Sequence, residues 1–331
     1  MRNGTLDLTP LYSPKKDPMR LALFMSGTGS NVKKILDTYI EQRSSGDVSF
    51  EPVFLFTDNM ESNASTIQEE YKEKGIDINL FCNPIQSYYK KANEREHALS
   101  DMDVRANYDV VQSEALKLFS VDAVCLAGYD WVVTPVICEN FVTVNVHPGD
   151  LRVRGSNGRP KYRGLGWIPS AKAILAGENE VYTSVHLVTP DLDCGPLMGI
   201  SEPQPLSREI LDLDDRVAAL GGGNIIKEIK AFMDGFNAIM DQAKPLVNGP
   251  LAAAQQRGTE LPDLDQITAE KYPLYGYAKD CQERLKVHGD WVIFPKVIDS
   301  LARGKYAKDG KGSLYFDGVQ IPNGWQFGVG E

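Results

Sequence analysis

Three short stretches carry residue types that can do chemistry. The first, VTVNVHPGD (142–150), is an alternating apolar strand bearing Asn145 and His147. Residues two apart in a strand point to one side, so an amide and an imidazole share a face. That pair suits oxyanion stabilisation and proton transfer at an acyl centre. It equally suits a capping asparagine beside a satisfied structural histidine. The second, SGTGSN (26–31), separates an apolar run from a helical pattern. Glycines there let backbone N–H groups face an anion, and a helix start adds partial positive charge. The bland alternative is a tight βα turn; among ligands, phosphate fits better than a dinucleotide. The G-x-G-x-x-G fingerprint needs a glycine where Val32 stands, although Asp58 ends the second apolar run as a ribose-binding acid would. The third, TSVHLVTPDLDCGP (183–196), has His186 within a strand and Asp191 and Asp193 in a loop flanked by proline and glycine. Acidic residues in such loops are ordinary turn chemistry, so this stretch alone assigns Asp193 no role. There is no G-x-S-x-G elbow and no H-E-x-x-H, and the histidines stand scattered at 97, 147, 186 and 288, so no metal centre is expected.

The elements that must hold these groups alternate in type. RLALFM, EPVFLFTD, INLFC, VDAVCLAG and FVTVNV read as buried strands. VKKILDTYIEQ and NASTIQEEYKEKG read as helices between them, and Tyr108, Val111, Ala115, Leu118 and Phe119 fall on one helical face. This pattern predicts an α/β fold with a doubly wound, mostly parallel sheet. The ligand crevice of such a sheet lies beyond the carboxyl ends of its strands, where both SGTGSN and NVHPGD stand. Residues 1–18 read as a polar extension on the surface. Beyond residue 200, 208–260 is helical in pattern apart from Gly221–Gly223, a further helix covers roughly 290–303, and GSLYFDGVQIPNG reads as a terminal hairpin.

The 331 residues suffice for a full core. Acidic residues outnumber basic ones 45 to 35, a net charge of -10, and no basic run forms a stripe. That argues against a nucleic-acid backbone as main ligand. Cys82, Cys125, Cys138, Cys194 and Cys281 are odd in number and widely spaced, which argues against disulfides or zinc, and most stand in apolar contexts as core thiols of a reducing compartment would. With no apolar leader and no membrane-length run, the expected location is cytoplasmic.

Taken together, the motifs resemble the folate-dependent formyltransferase family. SGTGSN (26–31), LAGY (126–129), NVHPGDL (145–151), PKYRGL (160–165) and TSVHLVTPDLDCGP (183–196) follow its order. RANYDVVQSEALKLF (105–119) resembles the helix before its fourth strand, and GDWVIFPKVIDSLARGKY and LYFDGVQIPNGW resemble its last helix and closing hairpin. The similarity covers about 20–200 and 284–325, and implies a Rossmann-like formyltransferase core over 19–205. The remainder then divides into a mainly helical insertion over 206–280 and a helix and hairpin over 281–331 that complete the core.

The resemblance implies transfer of a formyl group from 10-formyltetrahydrofolate, a co-substrate, to a primary amine of a phosphorylated molecule. Glycinamide ribonucleotide, in purine biosynthesis, is the default amine. Asn145, His147 and Asp193 become the catalytic trio, with Asp193 favouring the charged imidazole and relaying a proton through water, and His186 supports them. The amine's phosphate is expected on Gly27, Thr28, Gly29, Ser30 and Asn31, with Lys286 and Asp290 at the far end. Folate is expected against Gly128, Tyr129, Val132, Val133, Val188, Thr189 and Asp191, with Arg105 at its glutamate tail. The chain departs from the family in three places: an insertion carrying Arg152, Arg154 and Arg159, Asp130 and Trp131 in the pterin wall, and the helical block. The inserted arginines read as solvated charges, or as contacts for a second phosphate or the folate tail. Alternatives are a formyltetrahydrofolate deformylase, an N-formyltransferase for another amine such as an amino sugar nucleotide, and a non-catalytic binding protein. Neither nucleic acid nor membrane is expected as a partner, and a homo-oligomer stays open.

Overall fold

The computed structural model describes residues 7–91, 101–206 and 273–327. In chain order the first elements are β1 (Thr9–Pro10), β2 (Met19–Met25), α1 (Ser30–Ser45), β3 (Phe50–Thr57), α2 (Ala64–Glu73) and β4 (Asn79–Cys82). There follow α3 (Ile85–Lys91), α4 (Met102–Leu118), β5 (Ala123–Leu126), α5 (Pro135–Cys138) and β6 (Val142–His147). Next come α6 (Ile168–Leu175), β7 (Glu180–Val181), β8 (Ser184–Leu187), β9 (Leu197–Ile200) and β10 (Gln204–Pro205). The last are α7 (Pro273–Leu285), a π-helical turn (Lys286–Asp290), α8 (Trp291–Ala302), β11 (Tyr306–Lys308), β12 (Leu314–Phe316), β13 (Val319–Gln320) and β14 (Trp325–Gln326).

The chain divides into two units. The first comprises Met1–Pro160, Tyr182–Glu202 and Lys286–Glu331, and the second Lys161–Val181 and Pro203–Leu285. In the first, an eight-stranded sheet runs β14-β9-β8-β6-β5-β2-β3-β4. All neighbours pair in parallel except β8, which is antiparallel to both β6 and β9. This is the doubly wound, mostly parallel α/β fold that the alternating pattern predicts. The chain winds outward from β2 through β3 to β4, then crosses back to β5 and β6. A switch point therefore opens at the carboxyl ends of β2 and β5, where such sheets bind ligands.

The unbroken apolar run Leu21–Met25 explains why β2 is central. Leu21, Leu23 and Met25 enter one core cluster with α1, α2 and α8, while Ala22 and Phe24 enter another with α4 and α5. A strand covered on both faces reads as a continuous apolar run. The sequence reads 1–18 as a surface extension, yet β1 pairs antiparallel with β11 and Tyr12 joins the first cluster. Of the five cysteines, Cys125 and Cys281 are buried, Cys138 and Cys194 half-buried, and Cys82 stands exposed on edge strand β4, so fewer are core thiols than expected.

In the second unit, β7 pairs antiparallel with β10, α6 packs on α7, and Leu206 N donates to Asn179 O at 2.8 Å. These contacts join 161–181 to 203–285, a grouping that differs from the expected division at residue 206. The expected helical pattern over 208–260, with Gly221–Gly223, lies outside the described residues. Among the described residues, no helix is long and apolar enough to cross a membrane.

Candidate active site

Strand β6 delivers the first two groups: Asn145 is half-buried and His147 is 3% exposed. Strand β8 lies beside it in a register that sets His186 opposite Asn145. The Asn145 amide nitrogen Nδ2 is 3.2 Å from His186 Nε2, and His186 Nδ1 is 3.1 Å from the Leu187 carbonyl oxygen. A carbonyl only accepts, so Nδ1 carries the proton and Nε2 accepts from the Asn145 amide. Burial lowers the His186 pKa from 6.5 to about 4, overcoming the opposite pull of Asp193. The ring is neutral near pH 7, which preserves the lone pair that orients Asn145.

Asp193 comes from the loop between β8 and β9. Its Oδ2 lies 3.8 Å from His147 Nδ1, and its Oδ1 lies 3.7 Å from His186 Nε2. The second approach is not an ion pair, because His186 is uncharged. The loop is closed by bonds from Leu187 N to Pro196 O (2.9 Å) and from Cys194 N to Asp191 O (3.1 Å). Asp193 sits at φ 55°, a left-handed conformation that aspartate adopts more readily than bulkier residues. Gly195 makes the turn possible, since a Cβ there would lie 1.7 Å from the Leu187 carbonyl oxygen. On the other side, Ser184 Oγ donates to Gly149 O (2.7 Å) and accepts from Leu151 N (3.1 Å), fastening the segment after His147 to β8. Ser184 was not among the candidates; it lies two residues before His186, and nothing local announces partners 33 and 35 residues away.

The second group of candidates surrounds the start of α1. Gly29 is its N-cap at φ 70°, and no side chain caps the helix. The first-turn N–H groups of a helix have no partner within it, so Ser30, Asn31 and Val32 present donors at a positive helix end with no acidic residue in the first turn. Asn31 Nδ2 donates to Asp290 Oδ2 at 3.3 Å, and Thr183 Oγ1 donates to Asp290 Oδ1 at 2.7 Å. Asp290 is 4% exposed. Burial raises its pKa from 3.8 to about 6, against Thr183, Asn31 and the charge of Lys286. Lys286, Asp290 and the 27–31 loop are thus brought together.

The third group forms a wall after β5. Gly128 turns at φ 87°, and Tyr129 and Val133 are buried. Arg105 does not reach solvent: it is 2% exposed, donating from Nε to Val132 O (2.8 Å) and from Nη2 to Tyr129 Oη (2.8 Å). Its guanidinium also lies 5.0 Å from the Tyr108 ring and 5.6 Å from the Trp131 ring. Asp109 approaches it at 3.8 Å and caps Thr134, with its carboxyl raised by burial despite the arginine. Trp131 Nε1 donates to Asp58 Oδ2 at 2.7 Å, so Asp58 is already engaged and does not stand as a ribose-binding acid. Val188, Thr189 and Asp191 line the loop that carries Asp193. Arg159 pairs with Asp191 at 3.0 Å, with both side chains more than half exposed. Arg152 is held by Asp150 at 2.9 Å and lies 4.3 Å from the Tyr182 ring, whereas Arg154 is exposed.

Among the described residues no cluster of His, Cys, Asp and Glu could hold a metal. A groove of about 1050 Å³ elsewhere, lined by Lys34, Trp291, Arg303, Phe316 and Trp325 among others, contains none of these groups. The arrangement can therefore stabilise a developing oxyanion through the Asn145 amide, hold an imidazole against a carboxylate, and receive an anion at a helix start.

The family model described as formyl transferase matches residues 19–220. The human trifunctional purine biosynthetic protein adenosine-3 is 27% identical over 237 residues, 70% of this chain but 19% of that protein. The chain thus spans about one fifth of that relative. Phosphoribosylglycinamide formyltransferase of Escherichia coli is 26% identical over 184 residues, covering 54% of this chain and 70% of that protein. The structure of phosphoribosylglycinamide formyltransferase from Coxiella burnetii superposes with a TM-score of 0.55 at 17% identity, covering 94% of this chain and all of that one. That likeness is one of fold.

Two outcomes are expected from this geometry. Gly195→Ala should displace the Asp193 loop, because its Cβ would meet backbone rather than a mobile side-chain end. A loss of roughly 2–3 kcal/mol in denaturant unfolding is expected, and unchanged stability would contradict the close approach. Asp290 predicts a pH effect. Its folded pKa is raised, so its contribution is present in acid and lost as pH rises from about 4 through about 6. Asp290→Asn should therefore gain on the parent chain by on the order of 2 kcal/mol between about pH 4 and pH 7.5. A stability difference that stays constant across that range would refute the raised pKa.

Proposed function

The chain belongs to the formyl transferase family, and we propose that it transfers the formyl group of 10-formyltetrahydrofolate to the primary amine of a phosphorylated substrate, glycinamide ribonucleotide. One observation carries this reading: Asn145, His147 and Asp193 converge at the carboxyl edge of the sheet, in the same unit as an uncapped helix start. The relatives named for formyl transfer to phosphoribosylglycinamide support the choice of amine.

The amine nitrogen attacks the formyl carbon, and the carbonyl π electrons move to oxygen. The Asn145 amide, with one N–H committed to His186, offers its second N–H to that oxyanion. His147 supplies a further donor, and Asp193 faces Nδ1 of its ring, which directs Nε2 at the opposite edge toward the reacting centre. Collapse re-forms the carbonyl and breaks the bond to N10. The proton lost by the amine passes, through water held by Asp193, to N10 of the departing tetrahydrofolate. Removing one oxyanion donor typically costs two to three powers of ten in rate.

The amine's phosphate sits on the N–H groups of Gly27, Thr28, Gly29, Ser30 and Asn31, with Lys286 and Asp290 alongside. Gly128, Tyr129, Val132, Val133, Val188, Thr189 and Asp191 receive the folate. Arg105 enters as a support of that wall, through Val132 and Tyr129, rather than as a hand for the glutamate tail.

The test follows 10-formyltetrahydrofolate consumption with glycinamide ribonucleotide, with an amino sugar nucleotide, and with water alone. Turnover that requires glycinamide ribonucleotide is expected. Turnover with water alone would assign a deformylase, and no turnover in any arm would sink the enzyme reading. His147→Ala and Asp193→Asn should each lower turnover about a hundredfold or more; near-normal rates would remove those roles.

A further inference from the structure

Asp58 takes no part in the chemistry above, yet its carboxylate holds together the two loops on which both substrates are proposed to bind. It directly follows β3, at 6% exposure. Its Oδ1 accepts from the Ser26 hydroxyl at 2.5 Å, and its Oδ2 accepts from the Trp131 indole N–H at 2.7 Å. Ser26 opens the anion loop, and Trp131 stands in the folate-side wall. The Ser26 hydroxyl in turn accepts from Asp130 N at 3.0 Å, and Ser26 N donates to Gly128 O at 2.9 Å. The flanking backbone is tied at the same place: Asn59 Nδ2 donates to Ser26 O (3.2 Å) and Asn63 N to Gly27 O (3.1 Å).

The geometry is specific to a carboxylate. Both donors, a hydroxyl and an indole N–H, point at acceptors, and an ionised carboxylate is the acidic side chain's acceptor-only form. An amide at this position satisfies one donor and turns N–H toward the other. Hydrogen bonds to a buried charged acceptor are short and about twice as strong as neutral ones, so this carboxylate fixes position as well as contributing stability. The wall has a second fastening, Arg105 on Val132 and Tyr129, which Asp58 does not touch.

We propose that Asp58 is a positioning residue that fixes the anion loop and the folate-side wall in one relation across the switch point, and so sets the affinity of both substrates. The inference rests on the formyl-transfer reading of those loops. A purely architectural Asp58 would affect stability alone; a positioning Asp58 also transmits a disturbance from one loop to the other.

The experiment compares the full chain with its Asp58→Asn variant by indole and backbone amide 15N–1H spectra during titration with inorganic phosphate. Expected in the parent is a shift of the Ser30 and Asn31 backbone amides together with the Trp131 indole, and in the variant a Trp131 signal that no longer responds. Kinetically, Asp58→Asn should raise KM for both the amine and 10-formyltetrahydrofolate about tenfold or more, with a smaller change in kcat, as expected for lost charge-assisted bonds at binding loops. Trp131→Phe, which cuts the bridge on the wall side, should raise the folate KM most and the amine KM by a smaller factor. If the loop amides move but Trp131 is silent in the parent, or still responds in Asp58→Asn, the positioning role is overturned while the anion loop stands. If the loop amides themselves do not move, the anion reading fails and takes the inference with it. A variant that loses thermal stability but keeps both KM values reduces Asp58 to a structural residue.

Discussion

One strand pairing governs the site. Strand β8 runs against the direction of β6, in the register that faces His186 with Asn145. Because side chains alternate along a strand, a slip of one residue would send His186 to the other face and leave the amide unheld. The same strand supplies Ser184 to the segment after His147, and its exit leads into the loop that brings Asp193 back. Three chemical groups therefore depend on one antiparallel ladder, β6–β8, inside a mostly parallel sheet. Gly195 completes the constraint, since the returning loop passes against the Leu187 carbonyl with no room for a side chain.

Burial is the common cause of the two clearest electrostatic effects, and they have opposite signs. A buried histidine resists gaining charge, whereas a buried carboxyl resists losing its proton. His186, with pKa lowered to about 4, contributes stability that increases as pH rises toward 6.5. Asp290, raised to about 6, contributes stability that decreases over nearly the same range. The two terms offset one another in mildly acidic solution, so the parent chain shows little net pH dependence from the pair.

Much of the architecture was legible because the signals are local. Continuous apolar runs with helical patterns between them specify the parallel strands, and i, i+2 spacing puts Asn145 and His147 on one side. Their role needed His186 and Asp193, which lie 41 and 46 residues beyond Asn145 and His147 and meet them only through strand pairing. Arg105 shows the limit of position-based reasoning. The family resemblance sets it at the folate's glutamate tail, but the neighbouring Tyr129, Trp131 and Asp109 make an interior able to hold a guanidinium. Asp58 was legible as the end of a strand, not as a bridge between Ser26 and Trp131. The β1–β11 pairing was hidden for the same reason: two residues carry no period.

That pairing has a consequence for how the protein is made. Thr9 and Pro10 meet Lys308 and Ala307, and the outermost strand of the large sheet is Trp325–Gln326 beside β9. Thr9 and Pro10 must wait for partners about 300 residues later in the chain, and β9 for a neighbour more than a hundred residues later. Long-range pairing of this kind is slow and leaves strand edges open to other chains in the interval. From the synthesis of Ile200 until that of Trp325, β9 lacks its neighbour on one side, and that edge stands open to other chains.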